Sequence, residues 1–182
     1  TNPKVLVVFA GGNAVGKSTL SAKIAKELRG LRFNNDDIRR AIVRKFPELA
    51  RTQRVNQLLW QYSMDMYDRL ESMTSNGLII RDAIITGSYE KILPQFEVRG
   101  YGLFVIGYDL SDEKLKQLII DRGDTDIVTV QNMLNQLEFH KQNRQRFFGE
   151  YSADIMLDDG SVFEHDEVVH TLQEIIKADN EL

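Results

Sequence analysis

The chain has 182 residues, 42% of them hydrophobic, with 23 Lys and Arg against 27 Asp and Glu and a formal net charge of −4. That length fits one domain with a substantial core, and nine Phe, six Tyr and one Trp argue against a disordered chain. The absence of cysteine excludes a disulfide framework, a thiolate zinc site and a cysteine nucleophile, and the negative net charge speaks against a dedicated nucleic-acid binder. No apolar run approaches the ~18 residues of a membrane span, and the first one leads straight into a glycine loop, unlike a secretory signal. A cytoplasmic protein without membrane association is expected.

The elements follow from hydrophobic periodicity. Residues 4–10 form a continuous Val-rich run, the pattern of a strand buried on both faces. After a glycine loop over 11–18, Leu20, Ile24, Ala25 and Leu28 recur at helical spacing, and Gly30 is a stop signal. A short strand over 31–35 and a helix over 37–46, broken at Pro47, come next. Val55, Leu58, Leu59, Tyr62, Met66, Leu70 and Met73 trace one face of a long helix that closes at Asn76-Gly77. Strands over 78–85 and 101–108 enclose a helical stretch, 88–98, that Pro94 interrupts. A helix from Ser111 fails at Gly123, and the polar stretch 122–129 reads as a mobile connection. A second long helix begins with Val130, Met133, Leu134 and Leu137; a fifth strand covers 153–157, and Val168 to Ile176 close the chain as a helix. Strands alternating with helices imply an α/β fold, one domain over 1–182, with a mainly parallel five-stranded sheet covered on both faces.

Charge is unevenly distributed along these elements. Residues 154–182 hold nine acidic residues and one basic, so the preceding 153 carry a net positive charge. Residues 36–54 contain Arg39, Arg40, Arg44, Lys45, Arg51 and Arg54 against three acidic residues, and His140, Lys141, Arg144 and Arg146 form a second basic group. Such groups either attract anions or make solvated helix faces.

Gly11-Gly12-Asn13-Ala14-Val15-Gly16-Lys17-Ser18 matches G-x-x-x-x-G-K-[ST], with a buried strand before it and an amphipathic helix after it. The glycines let successive N–H groups converge on phosphate oxygens, and the following helix adds the positive end of its dipole. In this pattern Lys17 reaches the terminal phosphates, the Ser18 hydroxyl ligates Mg²⁺, and Thr19 adds a contact to the α-phosphate. Neither D-x-x-G nor N-K-x-D occurs, which excludes a GTPase of the usual kind. The length excludes large motor and transporter ATPases, and phosphotransferases remain.

Two carboxylates, Asp36 and Asp37, follow the second strand, and ligands of open parallel sheets bind beyond the carboxyl ends of the strands. Asp36 there can take the proton of an acceptor hydroxyl and hold Mg²⁺ waters, with Arg39 binding an anionic acceptor; it can equally cap the helix beginning at Asp37. His165 and His170 are five apart, the wrong spacing for a metal pair on one helical face, and Gly100-Tyr101-Gly102 precedes a strand, so it is no dinucleotide fingerprint. Trp60, Tyr62, Met64 and Met66 read as helix-packing residues.

With these residues in place the chain resembles the small P-loop kinases, a group including polynucleotide 5′-hydroxyl kinases, zeta-type toxins and adenylylsulfate kinases. The resemblance rests on residues 11–19, on Asp36-Asp37-Ile38-Arg39 and on Ile79-Ile80-Arg81-Asp82, and covers about the first half of the chain. It implies a three-layer P-loop fold and transfer of the γ-phosphoryl group of ATP, with Mg²⁺, to a hydroxyl. The acceptor would be an anionic small molecule, a nucleotide-like compound or a nucleic-acid 5′ end. By position it makes Asp36 the base, Arg39 an acceptor-binding arginine and Asp82 the acidic residue near metal and acceptor; as residues alone, Asp82 reads equally as a buried strand-end carboxylate. It makes 122–129 a lid whose Arg122 closes on the transferring phosphate; lids of the group commonly hold two arginines where this one holds Arg122 alone, and a second could come from Arg144 or Arg146 on the next helix. Arg54 would border the acceptor pocket, or stand as a solvated helix residue, and the turn at 158–161 would adjoin the base. The other class that fits is a nucleotide-binding switch that phosphorylates no acceptor.

Overall fold

A computed structural model describes residues 4–73 and 76–181. The five strands are β1 (Val5–Ala10), β2 (Leu31–Asn34), β3 (Leu78–Ile84), β4 (Gly102–Asp109) and β5 (Ile155–Asp158). They lie in the order β2-β3-β1-β4-β5, and every pairing is parallel. All carboxyl ends therefore share one rim.

The helices are α1 (Lys17–Leu28), α2 (Asn35–Lys45), α3 (Gln53–Glu71), α4 (Tyr89–Glu97), α5 (Asp112–Arg122), α6 (Val130–Asn135), α7 (Leu137–Phe148) and α8 (His165–Asn180), with a 3-10 turn at Pro47–Leu49. β1 is buried along its whole length, as its unbroken apolar run requires. Val5, Val7 and Phe9 point to one core with Leu20, Ile24, Leu115, Leu118, Val168 and Leu172. Leu6 and Val8 point to the other, an aromatic layer of Phe33, Tyr67, Tyr89, Phe96, Tyr101 and Phe147. Among the described residues no helix is long and apolar enough to cross a membrane.

Three expectations are corrected. Pro94 sits inside α4 rather than interrupting it. Its missing N–H affects only the carbonyl of exposed Glu90, while buried Ile92, Leu93 and Phe96 hold the helix on the sheet. The expected long helix from Val130 is two helices that meet at Gln136. The second helix begins at Asn35, two residues before the expected start, because Asn34 provides the cap.

Candidate active site

The loop between β1 and α1 has the backbone that its glycines foretell. Gly16 lies at φ +88°, and Ala14 also adopts a positive φ, +61°. A side chain at Gly11 would place Cβ 2.6 Å from the Tyr108 ring, so only glycine lets the loop leave β1 against β4. Val15 is fully buried, its side chain packed in the core. α1 starts at Lys17 with no side-chain cap and no acidic residue in its first turn, which leaves its N-terminal amides available to an anion. The Lys17 ammonium donates to the Gly12 carbonyl at 2.5 Å. Burial lowers its pKa to about 8, opposed by Asp82, assisted by Arg122 and opposed again by Asp36. These three groups thus share the electrostatic environment of Lys17.

Asn34 joins the two carboxylate-bearing elements. At the end of β2 its Oδ1 accepts from the amides of Asp36 at 2.8 Å and Asp37 at 3.2 Å, capping α2. Its Nδ2 donates to Asp82 Oδ2 at 2.8 Å, across the β2–β3 register that sets Asn34 opposite Asp82. Asp36 is thus relieved of capping: its carboxylate turns to the cleft, where Oδ1 accepts from Arg39 Nη1 at 2.5 Å. Arg39 Nη2 reaches Asn56 of α3 at 3.4 Å. Asp82 is both a buried carboxylate of β3, 6% exposed and held by Arg32 Nη2 at 2.6 Å, and a wall of the cleft.

The cleft measures about 1460 Å³, more than the ~300–1,000 Å³ of a single-ligand pocket, so a nucleotide and a second substrate fit together. Asn13, Ala14, Gly16, Lys17, Ser18, Thr19, Asp36, Arg39, Asp82 and Arg122 all line it, whereas Gly11, Gly12 and Val15 lie behind it. Seven lysine and arginine side chains face it against four aspartates, a positive lining in a chain of net charge −4.

Other expected residues fall elsewhere. Arg54 is exposed, does not line the cleft and donates to Gln57 at 3.2 Å, because the first turn of α3 presents Val55 and Asn56 to the cleft instead. Arg146 lies over the Tyr89 ring, and neither it nor Arg144 lines the cleft. The helix break at Gln136 brings Gln136 and His140 there in their place: Asn13 Nδ2 donates to Gln136 Oε1 at 3.1 Å and lies 3.3 Å from His140 Nε2. Burial, and then the charge of Lys17, lowers the His140 pKa below its ordinary value. The sequence carried no signal for Gln136 and marked His140 only as a member of the basic group over 140–146.

The connection after α5 is tied at both ends. Asp124 Oδ1 accepts from the Val130 amide at 2.7 Å, and Thr125 closes a turn on Val128. Asp126 takes a two-pronged bond from Arg40 of α2, Nε at 2.8 Å and Nη2 at 3.0 Å. The segment thus meets the helix that carries Asp36. In the turn after β5, Asp158 and Asp159 are occupied with Ser161 and Ser111, while Phe163 reaches back to within 3.3 Å of where a Gly16 side chain would begin.

Among the described residues no group of three His, Asp or Glu side chains could hold a metal by itself. Mg²⁺ at a phosphate site needs only one or two protein oxygens, the rest coming from phosphate and water. The Ser18 hydroxyl and the Asp36 and Asp82 carboxylates, all on the same cleft, are oxygen donors that fit.

No protein-family model matches this chain, and no curated protein sequence does either. Solved structures do. A Chloroflexus aurantiacus protein provisionally assigned as a kinase superposes with TM-score 0.64 at 14% identity, covering 98% of each chain. Shikimate kinase from Aquifex aeolicus gives 0.56 at 16%, covering 97% of this chain and 98% of its own. A gluconokinase from Sinorhizobium meliloti gives 0.58 at 15%, covering 97% and 95%. The chain therefore shares the fold of these kinases over nearly all of its length. The comparisons do not single out the polynucleotide kinase, zeta toxin or adenylylsulfate kinase branch.

Proposed function

We propose that this protein is an ATP- and Mg²⁺-dependent phosphotransferase that moves the γ-phosphoryl group to a hydroxyl of an anionic small molecule. The observation that carries the reading is the placement of Asp36, freed from capping by Asn34, on the same cleft as the phosphate loop. A module that only binds nucleotide has no use for a carboxylate facing a second-substrate space. The kinase fold and the positive lining support it, as do neighbours described as acting on shikimate and gluconate.

The loop amides and the uncapped start of α1 bind the β- and γ-phosphates, with Lys17 on their terminal oxygens. Ser18, with Asp36 or Asp82 acting through water, would hold Mg²⁺, which when bound neutralises charge across those phosphates. The Phe163 ring offers the base an apolar face. Asp36 orients the acceptor hydroxyl and takes its proton as the new O–P bond forms; the bond between the β–γ bridging oxygen and the γ-phosphorus breaks, and ADP leaves. Arg122 stabilises the charge on the transferring group as the 122–129 segment excludes water.

The test is transfer from γ-labelled ATP with Mg²⁺ to hydroxyl compounds bearing a carboxylate or a phosphate, with 5′-hydroxyl oligonucleotides alongside. The wild type is expected to label a small anion. Asp36→Asn is expected to bind ATP normally and transfer at least ~10²-fold more slowly. Equal, slow ATP hydrolysis by both proteins with no acceptor labelled would leave the switch reading in its place.

A further inference from the structure

β3 carries an arginine that the phosphate chemistry above leaves unused. Arg81 is 5% exposed and stands where β3 slips against β1: Val7 is opposite Ile80, but Phe9 is opposite Ile84. Two additional residues on one strand re-aim side chains locally. Arg81 and Asp82 consequently both line the cleft, although neighbours on a regular strand face opposite sides of the sheet.

The two differ in their partners. Asp82 is held by Arg32 and Asn34. No carboxylate pairs with Arg81 among the described residues, and its Nη1 is buried without a hydrogen-bond partner. The Tyr67 hydroxyl, on α3, is near enough to interact with it, but this neutral neighbour supplies no counter-charge. Arg39 and Arg40 have Asp36 and Asp126, while Arg44 and Arg51 are exposed to water. Arg81 has no counter-charge, and its Nη1 has neither a partner nor access to solvent. Proteins rarely bury a guanidinium that way, because desolvation of the ion goes uncompensated. An anionic ligand supplies both the missing charge and the missing acceptors, and a guanidinium matches a planar carboxylate or a phosphate in two-pronged geometry.

We infer that Arg81 anchors a carboxylate or phosphate group of the acceptor molecule, held at the β3 wall of the cleft with the Tyr67 hydroxyl beside it. This rests on the phosphotransferase reading only for the word acceptor; the anion site stands on the unpaired cation. A guanidinium so enclosed is reached by a compact group entering the cleft, which a small metabolite offers more readily than a nucleic-acid strand.

The test uses thermal melting of the full chain saturated with Mg²⁺ and a non-hydrolysable ATP analogue, so that the β- and γ-phosphate positions of the loop are filled. Inorganic phosphate and, separately, malonate are titrated at constant ionic strength into wild type, Arg81→Met and Arg81→Gln. Either anion is expected to raise the wild-type melting temperature, with an affinity at least tenfold weaker in both variants. The anion-free variants are expected to melt at or above wild type, because an unpaired buried charge has gone. The stronger of the two anions identifies the acceptor group. Arg81→Gln, uncharged but still a donor, keeps the test open where Arg81→Met fails to fold. An undiminished anion response in the variants, or no response in wild type, overturns the inference. Failure of the kinase reading looks different: an Arg81-dependent anion response persists while no acceptor is labelled. Conversely, labelling with an acceptor KM that Arg81→Gln leaves unchanged removes the anchor and spares the kinase.

Discussion

Replacing Asn34 tests the joint that holds the two carboxylates in register. In Asn34→Ala the amides of Asp36 and Asp37 lose their shared acceptor, and buried Asp82 loses one of its two donors. Loss of an N-cap costs about 1 kcal/mol, and loss of a hydrogen bond to a charged group about 1.5–3 kcal/mol. Arg32 still satisfies Asp82 in part, so a total of about 2–4 kcal/mol is expected. For a chain of this size that lowers Tm by roughly 5–15 °C. Asn34→Asp separates the two contributions. Aspartate caps as well as asparagine but sets a second carboxylate against Asp82, a repulsion that protonation of one of the pair relieves. That variant is expected to melt well below wild type at pH 7.5 and to approach it at pH 5. Circular-dichroism melts of the three proteins at both pH values decide the matter. Asn34→Ala within about 2 °C of wild type, or Asn34→Asp with no pH dependence of its own, would refute the reasoning.

Two other measurements probe the cleft's neighbours. The His140 pKa is lowered by burial and by Lys17, so the unfolded chain gains that proton first as pH falls. Its contribution to stability is complete above about pH 6.5 and is lost progressively below it, with a slope of at most about 1.4 kcal/mol per pH unit. His165, lowered by burial and by Lys23, acts in the same direction. Urea melts between pH 7.5 and 5 should therefore show a shallower acid limb in His140→Gln than in wild type; an identical limb contradicts the enclosed, neutral imidazole. The Arg40–Asp126 pair is largely exposed, so Asp126→Asn should move Tm by no more than about 2 °C. It should nevertheless speed tryptic cleavage after Arg122, read by mass spectrometry, because the 122–129 segment loses its tie to α2; an unchanged cleavage rate shows that the pair does not restrain that segment.

Much of this was legible from the chain alone, and the exceptions share a cause. The phosphate loop is a local device: its glycines, lysine and serine act through backbone geometry that eight consecutive residues specify, and its flanking strand and helix declare themselves by period. The Pro94 expectation failed because propensity is a weak prior against three buried side chains that hold α4 on the sheet. Arg54, Arg144 and Arg146 stand off the cleft because a helix turns neighbouring positions to different sides, and only packing decides which side meets it.

The amino-acid sequence by itself determined the alternating β/α order, the anion-binding loop and the rim on which Asp36 must lie, since each depends on neighbours in the chain. Tertiary structure alone decided that Asn34 rather than Asp36 caps α2, that Gln136 and His140 rather than a second arginine meet the loop, and that Arg81 is buried without a counter-charge. Each of those outcomes turns on a cross-strand register, a helix break or a strand slip that joins residues distant in sequence. Such geometry belongs to packing, and no local pattern encodes it.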